Sequence, residues 1–188
     1  GQMVTGADAD TKALYENMRF QLGAVPGVTD VGLGSTMPLR SSLFKLDIKA
    51  EGRPLTTGEA QPSAEGRTAS PEYFRAAGIP LLRGRAFETT DRIGSPLVVI
   101  LNKSLADQLF PDKDAVGQRV AWTGDVLRFI GISGDWRTVV GVVGNTKDGG
   151  LDAPELPVVF VPFAQEMTFA GGLVIRAQSD AASLIPAT

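Results

Sequence analysis

Residues 44–51 alternate strictly between apolar and charged side chains. In an extended segment, Phe44, Leu46, Ile48 and Ala50 would lie on one face and the charged residues on the other. This alternation predicts a β-strand with one buried face and one face in water. The fold must therefore contain a sheet, and this strand must lie between its core and the solvent.

Further strands are predicted at residues 28–35, 97–101, 126–132, 138–143, 158–163 and 173–177, which carry short apolar runs. Residues 52–66 are polar and rich in turn-forming residues, and residues 83–85 are predicted to form a turn.

Three helices are predicted. Residues 8–22 carry an apolar stripe at helical spacing, made by Leu14, Met18 and Leu22. A short second helix is expected after Ser70, with Ser70 as its N-cap, and its predicted end is Gly78. A third is expected to follow Asn102 as its N-cap.

The order of these segments indicates the fold class. One helix, two strands and a second helix precede a strand-rich middle and a closing strand. This order predicts an α+β fold and not a doubly wound parallel sheet.

Composition excludes several classes of function. The chain has no His and no Cys, so a disulfide, a thiolate zinc site, a Cys nucleophile and every His-based catalyst or ligand are excluded. The net charge of −3 shows no basic excess for a nucleic-acid partner. The longest apolar runs, at residues 97–101 and 158–161, are far shorter than the roughly 20 residues of a membrane span. The start and end of the sequence suggest a piece of a longer protein.

Sequence motifs that resemble catalytic or binding sites are interpreted as turns and strand ends. Residues 131–135 approach the nucleophile elbow, but the second glycine comes one position early and no His could activate Ser133. Residues 32–36 lack the Lys of a phosphate loop. Asn145, Asp148 and Asp152 could ligate calcium, but their spacing does not match an EF-hand.

Acidic and aromatic residues do not define a site either. No spacing selects a pair of carboxylates for acid–base catalysis. Tyr73, Phe74, Trp122 and Trp136 are expected in the core or half-buried. We therefore predict no catalytic, cofactor-binding or metal-binding residue and no cofactor.

An ordered set of segments resembles one known family. The segments are T-A-S-P-E-Y-F at 68–74, G-I-P-L-L-R-G-R-A-F at 78–87 with Asp91, V-V-I-L-N-K-S-L-A at 98–106, L-F-P at 109–111, A-V-G-Q-R at 115–119, R-T-V-V-G-V-V-G-N at 137–145 with Gly150 and Leu151, and V-F-V-P-F-A-Q at 159–165. Together they resemble the extracytoplasmic core domain of MacB-type ABC transporter permeases, the macrolide-exporter and FtsX-like group.

The resemblance implies a domain organisation. Members have a porter-like α/β-sandwich subdomain into which a second, strand-rich α+β subdomain is inserted. On this sequence, residues 1–82 and 171–188 would form the porter-like part, and residues 83–170 the insert.

The resemblance also implies a function without chemistry in this domain. The family domain lies as a soluble loop between transmembrane helices, on the periplasmic face of the bacterial inner membrane. It transmits their ATP-driven motion to the efflux or export of a substrate, or to a partner protein. ATP hydrolysis is expected on a separate cytoplasmic domain or chain.

Expected partners are a second permease copy, the ATP-binding subunit and, as a further candidate, a periplasmic adaptor or substrate protein. The isolated chain is expected to be a monomer. Two alternatives remain open: a free-standing periplasmic module that binds a ligand or peptide, and a hydrolase or lyase that uses Asp and Glu.

Overall fold

The structure is a computed structural model, and it describes residues 6–35, 45–55, 58–124, 133–146, 155–165 and 172–178. Side chains of the first helix are described from residue 13 onward.

Helices and strands alternate irregularly along this part of the chain. In chain order, the elements are α1 (Gly6–Gly23), β1 (Val28–Gly34), β2 (Lys45–Ala50), β3 (Ser63–Ala69), α2 (Tyr73–Ala77), β4 (Leu81–Gly84), β5 (Val98–Asn102), α3 (Lys103–Leu109), β6 (Arg119–Thr123), β7 (Arg137–Val143), β8 (Val158–Pro162) and β9 (Gly172–Ala177).

Six strands close into a ring. Strand β2 pairs with β6 at one edge and with β3 at the other, and the ring continues in the order β2-β6-β7-β5-β8-β3. The β3–β8 and β5–β7 pairs are parallel and the other pairs of the ring are antiparallel. Strands β1 and β9 extend the sheet from β3, and β4 is attached to β7. The sheet is mixed, and the predicted α+β class is confirmed.

The inside of the ring holds the larger core. Side chains from all six strands and from α3 pack there, including Leu46, Ile48, Val99, Leu101, Leu105, Leu109, Val120, Trp122, Val139 and Val159. The alternation predicted for residues 44–51 is confirmed, because Leu46, Ile48 and Ala50 are buried while Lys45, Asp47 and Lys49 are exposed. Phe44 lies outside the described residues.

A second core lies on the outer face of the ring. There, α2 packs against β5 and β8 through an aromatic cluster. The ring of Phe74 stands edge-on to that of Phe160, with 5.0 Å between their centroids, and Tyr73 and Phe87 adjoin the pair. Residues that alternate along β5 and β8 thus fill two cores, which explains why both strands are entirely buried.

Most predicted strands are confirmed, at β1, β2, β5, β7, β8 and β9. The predicted strand at residues 126–132 lies outside the described residues. Strands β3, β4 and β6 were not predicted. The turn-rich interpretation of residues 52–66 is wrong from Ser63 onward, because β3 begins there. The predicted turn at residues 83–85 is also wrong in part, since Arg83 and Gly84 belong to β4.

The second helix starts later than the sequence predicts. Its N-cap is Glu72 and not Ser70, and no side chain caps it. The Ser70 hydroxyl instead accepts a hydrogen bond from the Leu33 backbone N–H at 3.1 Å, which ties the segment before α2 to β1. The predicted end is confirmed, because Gly78 adopts a left-handed conformation with φ of 71°.

The third helix begins as predicted. The Asn102 side chain accepts a hydrogen bond from the Leu105 N–H, and Pro111 follows shortly after the helix.

The first helix is confirmed, but its apolar stripe is only partly buried. Leu14 is 57% exposed and Met18 is 38% exposed. The half-buried side of the helix carries Tyr15, Arg19 and Leu22. The helix is therefore turned so that part of its apolar arc faces solvent.

The predicted division into two subdomains stays a prediction. Strands β2 and β3 come from the predicted porter-like part, whereas β5 to β8 come from the predicted insert. All of them share the ring.

Candidate functional site

Two glycines of β1 let α2 lie directly on the strand. A Cβ atom on Gly32 would lie 2.4 Å from the Tyr73 Cα, and one on Gly34 would lie 2.3 Å from the Tyr73 ring. Real Cβ atoms do not approach other heavy atoms so closely, so only glycine fits at either position. The Gly-Leu-Gly sequence is thus a contact between a strand and a helix, which agrees with the interpretation of residues 32–36 as a strand end.

Two ion pairs cross the same junction, where α1, α2 and β1 meet. Arg19 of α1 contacts Glu72 at 3.4 Å, and Arg75 of α2 contacts Asp30 of β1 at 3.2 Å. Within α1, Arg19 also contacts Glu16 at 3.1 Å. The four charged residues of the two crossing pairs line a shallow groove of about 250 Å³. Because its charged side chains pair with one another and few apolar groups line it, the groove lacks the apolar character typical of a ligand pocket.

Strand β9 completes the junction. It pairs with β1 along the whole strand, from Val28 opposite Ala177 to Gly34 opposite Gly172. Beyond it, the Gln178 N–H donates a hydrogen bond to the Gly27 carbonyl, next to the end of α1. The first and last described elements of the chain therefore flank the same strand.

A second pair of glycines lets the end of β4 lie close against β7, with which it pairs. A Cβ atom on Gly84 would lie 2.2 Å from the Val140 carbonyl oxygen, and one on Gly141 would lie 2.3 Å from the Arg85 carbonyl oxygen. Gly84 also has a φ of 72°, which disfavours any other residue.

The loop after β4 is held by a bidentate contact between an arginine and an aspartate. The Arg85 guanidinium donates to both carboxylate oxygens of Asp91, at 2.7 and 3.0 Å. The Asp91 carboxylate also accepts from the Glu88 N–H at 2.9 Å. Burial alone would raise the pKa of Asp91, but the hydrogen bonds from Arg85 and Glu88 outweigh it and hold this pKa below its usual value. The same pair raises the pKa of Arg85.

Three amide side chains fasten loops to the two cores. Asn102 accepts from the Leu105 and Val158 N–H groups and donates to the Leu156 carbonyl. Gln165 accepts from the Val98 N–H and donates to Ser95 and to the Pro96 carbonyl. Asn145 accepts from the Ser104 N–H and donates to Glu155. These motif residues are satisfied by the fold itself.

The other motif residues lie apart from one another. The Ser133 hydroxyl donates a hydrogen bond to the Asp135 carboxylate and accepts one from the Asp135 N–H. The second bond is typical of a turn that a serine side chain closes. Asp148 and Asp152 lie outside the described residues, as do Gly131 and Ile132. Within the described ranges, no group of three acidic residues could hold a metal ion.

The predicted burial is confirmed for three of the four aromatic residues, and it is wrong for Trp136. Tyr73, Phe74 and Trp122 are buried, while Trp136 is 36% exposed, with the Lys49 ammonium 5.1 Å from its ring centroid. The glycine contacts of β1 and β7 were not predicted, because only the folded chain brings their partners together.

The motif residues of this mixed sheet fix turns, strand contacts and loops, which is typical of a structural module. Comparison with known proteins shows the family of this module. The model of the MacB-like periplasmic core domain matches residues 4–184. The chain belongs to this family, whose members are non-catalytic periplasmic domains of transporters.

Solved structures share the fold. The periplasmic region of MacB from Actinobacillus actinomycetemcomitans is 18% identical, with a TM-score of 0.59 over 90% of this chain and 68% of that one. The extracellular domain of the ABC-type transporter YknZ from Gram-positive bacteria is also 18% identical, with a TM-score of 0.55 over 90% of this chain and 75% of that one. No curated protein matches the chain. Among the described residues, no helix is both long and apolar enough to cross a bilayer.

Proposed function

We propose that this domain transmits the ATP-driven movement of transmembrane helices to the efflux or export of a substrate, or to a partner protein. It lies on the periplasmic face of the inner membrane, as a soluble loop between two membrane helices. ATP is hydrolysed on a separate cytoplasmic domain or chain, and two copies of this domain face each other in a dimeric permease. The family match over residues 4–184 carries this proposal.

The contacts around β1 support transmission through a connected body. Strand β1 is joined to α1 by a tight turn and is paired with β9 along its length, so movement of either element acts on it first. Gly32 and Gly34 place α2 against β1, and Phe74 of α2 packs on Phe160 of the ring. Displacement of β1 is thereby passed to the ring, because close-packed groups cannot yield separately.

The family organisation completes the proposal. Residues 1–82 and 171–188 form the porter-like part, which is nearest the membrane helices, and residues 83–170 form the insert. The insert is then the part farther along the path of the movement, where an adaptor or substrate protein would bind.

The sequence of the intact gene tests whether this domain lies between two membrane helices. We expect an apolar stretch of about 20 residues on each side of the segment that encodes residues 1–188. Polar flanks, or a cleavable signal peptide alone, would contradict the placement and favour a secreted binding module. A thermal-shift screen with lipids, peptides and macrolides would then identify a ligand, because specific binding raises the Tm.

A further inference from the structure

The described side chains of helix α1 lie outside both cores. Every described side chain between residues 13 and 23 is half-buried or exposed. None of them belongs to either core, and Phe20 is 78% exposed. Because burial of apolar surface supplies most of the stability of packed elements, α1 should separate from the body at a lower free energy than the strands of the ring.

The described side chains of α1 contact the body through an aromatic pair and an ion pair. The ring of Tyr15 stands edge-on to that of Phe163, with 6.0 Å between their centroids. Arg19 contacts Glu72, the N-cap residue of α2. This ion pair links the first described helix to the helix that lies on β1.

Both side chains of the ion pair are partly exposed to solvent. The Arg19 side chain is 35% exposed and that of Glu72 is 24% exposed. Arg19 also contacts Glu16 on its own helix, so it keeps a partner when the contact with Glu72 breaks. A contact of this kind is weak, responds to salt and can open and close without leaving a buried charge unpaired.

We propose that α1 is a releasable arm and that the Arg19–Glu72 pair is its latch. The arm docks on the body through Tyr15, Arg19 and Leu22 and releases as a unit while the ring stays folded. This inference deepens the function proposed above and rests on it for its purpose, since the arm is the first described element through which movement would enter. The latch itself is a property of the chain of residues 1–188.

The absence of cysteine from the chain gives a direct measurement of release. A Leu22→Cys variant carries a single half-buried thiol on the docking side of α1. Its rate of modification by a thiol reagent reports how often the arm is open. Adding Arg19→Gln should raise this rate about threefold, as expected for the loss of a partly exposed ion pair. Raising the ionic strength should increase the modification rate of Leu22→Cys when Arg19 is present. It should have little effect on the rate when Arg19→Gln is also present.

Two controls separate a latch from general destabilisation. Arg75→Gln removes the neighbouring ion pair with Asp30 in the same groove without touching α1, and should leave the Leu22→Cys rate unchanged. Leu14→Cys places the thiol on the exposed side, where its rate should not depend on Arg19. Circular dichroism checks that every variant is folded.

The proposal is overturned if Arg19→Gln leaves the Leu22→Cys rate unchanged, or if Arg75→Gln raises it equally. It is also overturned if amide hydrogens of α1 exchange as slowly as those of β5 and β8. These measurements use the isolated chain, so a permease that fails to couple ATP hydrolysis to movement would refute the proposed function and leave the latch standing.

Discussion

Replacing Gly32 by alanine tests the contact that joins β1 to α2. The new Cβ atom would lie 2.4 Å from the Tyr73 Cα, 2.9 Å from the Tyr73 backbone nitrogen and 3.2 Å from the Glu72 carbonyl carbon. All three are backbone atoms, so no side-chain rotation relieves the overlap. Helix α2 would have to move away by about 1 Å to restore ordinary contact.

The expected cost follows from what α2 carries. Its displacement disturbs Tyr73 and Phe74, which are both buried against Phe160. Overpacking of this kind costs about 1 to 3 kcal/mol, and the upper part of that range applies because a whole helix turn must shift. Alanine also lowers the entropy of the unfolded chain, which returns about 0.4 to 1 kcal/mol. We expect a net loss of about 2 kcal/mol and a Tm lower by about 4 to 8 °C.

Urea denaturation followed by circular dichroism measures this loss. Gly23→Ala is the matched control, because a Cβ atom there meets nothing within 4 Å and the backbone needs no left-handed conformation. It should be neutral or slightly stabilising. If Gly32→Ala were as stable as Gly23→Ala, the close approach of α2 to β1 would be refuted.

A double-mutant cycle separates the two glycines. The Cβ atom of Gly34→Ala meets the ring of Tyr73, whereas that of Gly32→Ala meets backbone. In a Tyr73→Ala background, Gly34→Ala should therefore cost little further, while Gly32→Ala keeps most of its cost. Equal behaviour of the two glycines in that background would contradict the described packing.

Three further substitutions test the polar groups. Because the pKa of Asp91 is lower in the folded state, its stabilising effect is complete above the unfolded pKa and is lost as the pH falls through the folded one; Asp91→Asn should therefore lose less stability than the native chain in acid denaturation. Asn102→Ala removes a helix cap and the bond to the Val158 N–H, and should cost about 2 to 4 kcal/mol in urea unfolding. Glu65→Leu leaves the guanidinium of Arg67 buried without this carboxylate and should cost about 3 to 5 kcal/mol, whereas a loss below about 1 kcal/mol would show that the pair is not buried.

The strands that were predicted carry their signal in their own side chains. Residues 44–51 alternate because one face of β2 is inside the ring, and β5 is a continuous apolar run because both of its faces are covered. Asn102 is recognisable as a cap because the helix that it begins is local in sequence.

The strands that were missed depend on distant partners. Strand β3 has few large apolar residues and includes Glu65 and Arg67, which form a buried ion pair at 2.7 Å. Its place in the sheet comes from pairing with β2 on one side and β8 on the other. A pattern within one segment does not contain that information.

Tertiary contacts also decide how a recognised motif is used. Ser70 has the sequence context of a helix cap, but its hydroxyl binds the backbone of β1 instead. The apolar stripe of α1 correctly predicts a helix. The side of the helix that contacts the rest of the domain, however, is the one that carries Tyr15 and Arg19. Likewise, the requirement for glycine at positions 32 and 34 arises from the position of Tyr73 in the folded chain.

The proposed function requires this domain to move with the nucleotide cycle of a dimeric permease. The most direct measurement is the distance between spin labels on Ile93→Cys in the two copies of the full-length permease, freed of other cysteines, because Ile93 is 60% exposed and the domain itself has none. We expect the distance distribution to change between the nucleotide-free and ATP-bound states. One unchanged distribution in a permease that hydrolyses ATP, or no measurable distance at all, would contradict the account.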